Sequence, residues 1–269
     1  MMLDIKVAQR ELAENGIVKI PGFVDSHQLK ALEHALDAVF DGNYASGEKP
    51  IARNREYFDR CGLHHIRYPN VSDPNIANIC DDIGIGELTG GLCDSNWTQA
   101  WFIHAVYKFH EPGQEAGNFV GWHQDGQYTD TVFDGDFVTA NIHLTEGSKQ
   151  NGSLRYLQGS HTMPVVEGLG SGFSHSGSLE SLTKRVTKNL GREFAQRLEE
   201  AEAGDVTFHS SRLIHGSGPC DAGEYRKVLV LHMRTEKNNL KDGGSQVLAR
   251  YGVDIANEAM CPTFRTRAC

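Results

Sequence analysis

The sequence predicts a mainly β protein, an antiparallel barrel or double-sheet jelly roll with a helical buttress. Three observations predict it. Helical periodicity is concentrated in the first third of the chain. Short β-type segments separated by Gly- and Asn-rich turns follow. One amphipathic helical stretch interrupts them. No linker, internal repeat or low-complexity tract divides the 269 residues. The expectation is therefore a single domain over 1–269, with a helical part over about 1–95 and a jelly-roll core over about 96–235 that carries a helical insertion over about 178–203.

In chain order, Leu3, Val7, Ala8 and Leu12 lie at roughly helical spacing within 3–15, and Gly16 is placed to end that helix. Ile17, Val18 and Ile20 read as a short strand stopped by Pro21-Gly22. Asp25 or Ser26 can cap a second helix to about Phe40, with Leu29, Leu32, Leu36 and Val39 on one face. Residues 41–75 read as irregular, and a helix is expected from Pro74 to about Leu88. Strands are expected at 101–109, 136–144, 153–158, 205–209 and 225–233. Residues 178–203 read as one or two amphipathic helices.

Composition excludes several classes. With 39% hydrophobic and 23% charged residues the chain is globular rather than disordered. A net charge of -9 disfavours nucleic acid as a partner, although a local basic pocket can still bind a small anion. The six cysteines form no C-x-x-C pair and no regular framework, which favours a reducing compartment. The N-terminus has no apolar signal core, and no apolar run is long enough to span a bilayer. The expectation is a cytoplasmic protein, monomer or homodimer, that acts on a small molecule.

The chemistry-bearing stretch is Gly121-Trp122-His123-Gln124-Asp125-Gly126. In a strand, residues two apart share a face, so His123 and Asp125 can offer a ring nitrogen and a carboxylate to one metal. Gln124 then points the other way, and Trp122 shares that parity and reads as packing. Alone, an H-x-D triplet is more often an ordinary histidine than a ligand. The second stretch ends in His215-Gly216-Ser217-Gly218-Pro219, a histidine against a Gly-rich turn that lets backbone approach a ligand closely. Arg226 opens the next strand. Its bland reading is a salt bridge with Glu224 or another acid. Buried in a barrel it would need an anionic partner, and its planar fork suits a carboxylate such as that of 2-oxoglutarate. His161, His209 and His232 read as structural histidines that satisfy local groups.

Together these stretches resemble the phytanoyl-CoA dioxygenase family of Fe(II)/2-oxoglutarate oxygenases. The W-H-Q-D-G motif stands at Trp122–Gly126. The N-G-x-L-x(4)-G-S-H motif runs from Asn151-Gly152-Ser153-Leu154 to Gly159-Ser160-His161. The H-x-S-x-P turn stands at His215–Pro219, Arg226 lies at the family spacing, and the opening strand and turn correspond to Gly16–Val24. The resemblance covers roughly residues 10–235. It implies a double-stranded β-helix, the cupin-like jelly roll, with Fe(II) held by His123, Asp125 and His215, which would be the catalytic centre. It implies 2-oxoglutarate as co-substrate, with Arg226 on its distal carboxylate, Ser217 touching the same group, and Asn141 and Lys108 as further co-substrate residues. With O2, such an enzyme hydroxylates a C–H bond and releases succinate and CO2. An Asp at position 125, where related halogenases have Ala or Gly, implies hydroxylation.

For the substrate, residues 53–67 concentrate Arg53, Arg55, Arg60, His64, His65 and Arg67 among Tyr57 and Phe58, with Tyr68 following. The bland reading is a solvated basic face. The sharper one is a pocket for a carboxylate or phosphonate, with Arg53, Arg55, Tyr57, His65 and Arg67 in contact, Arg155 and Arg234 adding anion contacts, and an aromatic wall for an ammonium group. The first expectation is a zwitterionic aminophosphonate such as 2-aminoethylphosphonate, and the second a free amino acid. The competing class is a cupin-like metal-binding isomerase, dioxygenase or binding protein that does not use 2-oxoglutarate.

Overall fold

The computed structural model of the protein describes residues 3–53, 62–110, 119–166, 169 and 179–265. Two antiparallel sheets carry it. The larger has the order β1-β9-β6-β11-β4-β3-β2, where β1 is Ile17–Ile20, β2 Ala52–Arg53, β3 Leu63–Arg67, β4 Trp97–Phe109, β6 Val138–His143, β9 Val206–Ser210 and β11 Tyr225–Thr235; β12 (Thr263–Arg265) pairs with the start of β4. The smaller has the order β5-β10-β7-β8, with β5 Val120–His123, β7 Leu154–Leu157, β8 Gln196–Leu198 and β10 His215–Ser217.

Strand alternation divides the large sheet into two chemically opposite faces. The register pairs Arg226 with Lys108, Val228 with Val106, Val230 with His104 and His232 with Phe102, so these side chains share one face with Thr139, Asn141 and His143 of β6. The alternate residues Ile103, Ala105, Tyr107, Ala140, Ile142, Phe208, Leu229 and Leu231 are buried on the other face. That face packs against the helices. α2 (Ser26–Asp41) contributes Leu32, Ala35, Leu36 and Val39, an i, i+3, i+4, i+7 stripe, and α4 (Asn75–Asp82) and α5 (Ile85–Cys93) contribute Ile76, Ile85 and Leu88 to the same cluster. Each such leucine or isoleucine stabilises the fold by about 1.5–3 kcal/mol relative to exposure. The small sheet has its own apolar cluster. Phe119, Trp122, Leu157 and Ile214 meet Val186 of α6 (Leu179–Leu190), and Trp122 Nε1 donates to Thr183 at 2.9 Å. With both outer faces packed in apolar clusters, the inner faces, which carry the histidines, Asp125, Lys108 and Arg226 among valines, are left to line a cavity between the sheets.

The expected helices at either side of β1 are present. α1 (Ile5–Asn15) ends on Gly16 in the left-handed conformation (φ 75), and Asp25 caps α2 in a capping box. Three expectations are corrected. The single helix over 74–88 is two, broken at Gly84, whose φ is 79. The stretch read as irregular contains α3 (Pro69–Ser72) and the strand β3, in which two histidines and an arginine hid the β pattern. The insertion holds one described helix, α6, followed by β8 rather than a second helix. The chain beyond 235 adds α7 (Gly244–Arg250) and β12.

Candidate active site

His123 closes β5 and His215 opens β10, and the two face each other across the antiparallel register. Gly216 makes that pairing possible, because a Cβ there would meet Val120 O at 2.7 Å. Asp125 arrives by a different route from the one the strand argument assumed: β5 stops at His123, and Asp125 begins a 3-10 turn, Asp125–Tyr128. The result is the same convergence. One ligating atom from each of His123, Asp125 and His215 lies within 4.8 Å of the others, and Asp125 Oδ1 is 3.6 Å from Nε2 of both histidines.

Backbone carbonyls orient both rings. His123 Nδ1 donates to Gly121 O and His215 Nδ1 to Leu213 O, each at 2.9 Å. A neutral imidazole carries one ring proton, so both Nε2 lone pairs face Asp125 Oδ1. Burial holds both histidines below the ordinary imidazole range. Burial works against the Asp125 charge, yet His215, His232 and the His209 hydrogen bond keep its carboxyl well below the usual range. Its second oxygen, Oδ2, accepts from Thr139 Oγ1 at 2.6 Å and His209 Nε2 at 3.0 Å. Two neutral imidazole nitrogens and a carboxylate oxygen on one face are a donor set for a divalent metal such as iron, with other positions left for ligands.

The cavity runs from this cluster to a cationic end. Its volume is ≈ 150 Å³, small beside the 300–1,000 Å³ or so of drug-sized pockets. Lys108, fully buried, donates to Ser217 Oγ at 2.6 Å and Gly218 O at 2.7 Å. Arg226 stands beside it in register. Its Nε is buried without a hydrogen-bond partner, and its guanidinium forms no ion pair with the described residues; Glu224 does not neutralise it. Burial pushes its pKa down to about 10. A buried arginine without an acid is costly unless a ligand brings the anion. Gly152 of the N-G-x-L motif packs beneath this end: at φ 69, a Cβ there would meet Gly218 O at 2.5 Å. Asn141 donates to Thr207 Oγ1 at 3.3 Å and to His209 Nδ1 at 3.2 Å.

The substrate candidates separate. His65 lines the cavity. Arg67 pairs with His104 in register, and its Nε is buried without a partner. Arg53 lies in β2 opposite Ile66. Arg55 and Tyr57, with Phe58 and Arg60, fall outside the described residues. Arg155 is a correction. Leu154 takes the cavity side of β7, and Arg155 is held 3.9 Å from Glu180 instead. Arg234 is spent on Gln99 Oε1 (2.7 Å) and Asn238 O (3.2 Å) over the Trp97 and Phe133 rings. Tyr68 is buried in an apolar cluster and donates to Trp101 O. Gln124 faces away from the metal cluster, as expected, and donates to Arg212 O at 2.7 Å. His161 is structural, with Nε2 3.2 Å from Ala13 O.

Sequence reasoning missed four residues. Thr139 and His209 hold Asp125 directly, and His232 and His104 continue inward-facing rows. Parity could have found three of them: His232 has the parity of Arg226, His104 that of Lys108 and Thr139 that of Asn141. The bland reading of His209 and His232 is thereby corrected.

Comparison with known proteins places the chain in a family. The phytanoyl-CoA dioxygenase (PhyH) family matches residues 12–228. The chain is 33% identical over 234 residues, 83% of this chain and 76% of the other, to a probable alpha-ketoglutarate-dependent hypophosphite dioxygenase of Stutzerimonas stutzeri. Among solved structures, the non-heme alpha ketoglutarate dependent carbocyclase SnoK from nogalamycin biosynthesis superposes with a TM-score of 0.69 at 19% identity, over 97% of this chain and 96% of that one. EctD from S. alaskensis, solved with 2-oxoglutarate and 5-hydroxyectoine, superposes at 0.65 and 17% identity, over 89% and 78%. At these identities the structural likeness shows the fold, and the expected jelly roll is borne out. The expected enzyme class, an iron- and 2-oxoglutarate-dependent dioxygenase, agrees with the family and with the activity named for the Stutzerimonas relative. No helix among the described residues is long and apolar enough to cross a membrane. The chain belongs to the phytanoyl-CoA dioxygenase family.

Proposed function

We propose that the protein oxidises a small, anionic or zwitterionic molecule with Fe(II), 2-oxoglutarate and O2, and that His123, Asp125 and His215 hold the metal. The observation that carries this reading is Arg226. Its buried guanidinium has no anionic partner among the described residues and faces the same cavity as the three ligating groups. The distal carboxylate of 2-oxoglutarate supplies the missing charge, and a bidentate carboxylate matches the guanidinium fork. Ser217 and Lys108 complete that end, with the Lys108 ammonium adding a second positive charge within reach of Ser217 Oγ. Asn141 serves the site through His209, whose Nδ1 it contacts. O2 would be the oxidant, activated by the metal, with 2-oxoglutarate giving up two of the four electrons as it becomes succinate and CO2 and the substrate giving up the other two.

The protein's own part is to bind, orient and exclude water. His123 and His215 present fixed lone pairs. Asp125 occupies the third position with a carboxylate, which favours transfer of a hydroxyl over that of a halide. The apolar covers on both sheets keep the reaction away from bulk water.

The substrate proposed first is an aminophosphonate such as 2-aminoethylphosphonate, and second a free amino acid. The small cavity and the buried, unpartnered Arg67 Nε on β3, the strand beside it, support an anionic group. Hypophosphite, the substrate named for the Stutzerimonas relative, is likewise a compact phosphorus oxyanion and joins the panel. The test is succinate release from 2-oxoglutarate with iron, O2 and a panel of hypophosphite, phosphonates, aminophosphonates and amino acids. Turnover confined to phosphorus oxyanions or amino acids supports the reading. Turnover confined to neutral apolar compounds overturns it.

A further inference from the structure

The inner face of the large sheet carries a line of histidines that the oxygenase reading does not use. His65 Nε2 lies 2.6 Å from His104 Nδ1, His104 Nε2 lies 3.2 Å from His232 Nε2, and His232 Nδ1 lies 3.1 Å from Thr139 Oγ1. Thr139 Oγ1 is 2.6 Å from Asp125 Oδ2. These contacts cross β3, β4, β11 and β6 in turn.

We propose that this line is a one-way hydrogen-bond relay that locks Asp125 in a single orientation, making His65, His104 and His232 positioning residues for the metal. It rests on the reading of Asp125 as a metal ligand.

Counting protons sets the direction. An ionised carboxylate only accepts, so the single proton of the Thr139 hydroxyl goes to Asp125 Oδ2. Thr139 Oγ1 must then accept from His232, whose ring proton is therefore on Nδ1. A neutral imidazole has one proton, so His232 Nε2 accepts, and His104 must donate from Nε2. His104 Nδ1 then accepts from His65 Nε2. Every donor points toward Asp125. Neutral rings are the expected state here, because each ring is buried in the cavity wall; burial first, then the neighbouring Arg67 and His232, lowers the His65 pKa to about 3. The other acceptor site of Oδ2 is taken by His209 Nε2, whose Nδ1 is 3.2 Å from Asn141 Nδ2. Oδ2 is thus occupied twice from the large sheet. Oδ1 alone remains for the metal, 3.6 Å from both histidine Nε2 atoms.

If the relay is cut at His104, His232 can move its proton to Nε2. Its bare Nδ1 then competes with Asp125 for the Thr139 proton. Metal binding should register this before any turnover. Co(II) affinity and the Co(II) ligand-field spectrum are measured on the metal-free chain, and on His104→Phe, Thr139→Val, the double variant and His104→Gln. His104→Phe and Thr139→Val should each weaken binding about tenfold or more. The double variant should be no worse than Thr139→Val, because the relay acts through that hydroxyl. His104→Gln, which both donates and accepts, should restore most of the affinity and the spectrum. Wild-type affinity in His104→Phe, or losses that multiply in the double variant, would overturn the proposal.

Nitrogen-15 spectra of the unmodified chain test the tautomers without any substitution. His65 and His104 should carry their proton on Nε2 and His232 on Nδ1; a His232 proton on Nε2 would overturn the relay. Undiminished Co(II) binding by Asp125→Ala would instead overturn the ligand reading itself, and the relay with it.

Discussion

The histidine ligands and the carboxylate ligand are held by opposite strategies. His123 and His215 are each oriented by a carbonyl two residues earlier in the same strand or turn. Asp125 is oriented from the facing sheet, by Thr139, 14 residues away, and His209, 84 residues away. The histidines need only their own strands to be aimed correctly. The carboxylate is aimed only once the two sheets have closed on each other. One half of the metal site is therefore encoded locally and the other half in tertiary structure, so damage to the large sheet should reach the metal through Asp125.

That contrast can be broken at several points. The largest effect is expected at the ligands. His215→Ala or Asp125→Ala should bring succinate formation to background while leaving the fold intact by circular dichroism. Retained turnover in either would remove the site from its proposed place. Arg226→Ala comes next. Losing a buried, charge-assisted contact costs about 2–5 kcal/mol, which is roughly 30-fold or more in the apparent affinity for 2-oxoglutarate, with iron binding unaffected. Equilibrium binding of both ligands to the variant separates the two. His209→Ala should be milder, weakening metal affinity about 10- to 100-fold by freeing one side of Asp125 Oδ2.

The smallest effect lies outside the site. Glu199 is buried beside β8 with Lys19 at 3.9 Å, and burial raises its pKa to about 7. A carboxyl with a raised folded-state pKa favours the folded state below its unfolded value and loses that contribution as pH rises through about 7. Thermal denaturation should therefore show Glu199→Gln gaining stability over the natural chain at pH 8 but not at pH 5. Equal differences at both pH values would contradict that assignment.

The same local and non-local division explains what the sequence made legible. Motifs that carry their own geometry were readable: the W-H-Q-D-G strand end, the His215 turn, the capped α2 and the apolar stripes under the large sheet. β3 was not, because Leu63-His64-His65-Ile66-Arg67 puts imidazoles where an apolar alternation is looked for, and its strand character comes from pairing with β4. Gly84 breaks a helix whose composition reads as continuous. Arg155 was placed in the pocket on charge alone, whereas the parity of Leu154 turns it outward. Of the histidines behind Asp125, His209 and His232 were set aside as structural one by one and His104 was not singled out; only the joint register of β4, β6, β9 and β11 reveals that they meet.

The central claim is that the triad and Arg226 together bind iron and 2-oxoglutarate. The most direct test is an anaerobic titration of the Fe(II)-loaded chain with 2-oxoglutarate, followed in the visible range. The account predicts the weak charge-transfer band of a chelated 2-oxo acid, saturating near equimolar 2-oxoglutarate, absent in His215→Ala and requiring far more 2-oxoglutarate in Arg226→Ala. No band, with iron demonstrably bound, would contradict it and leave a metal-binding jelly roll that does not use 2-oxoglutarate.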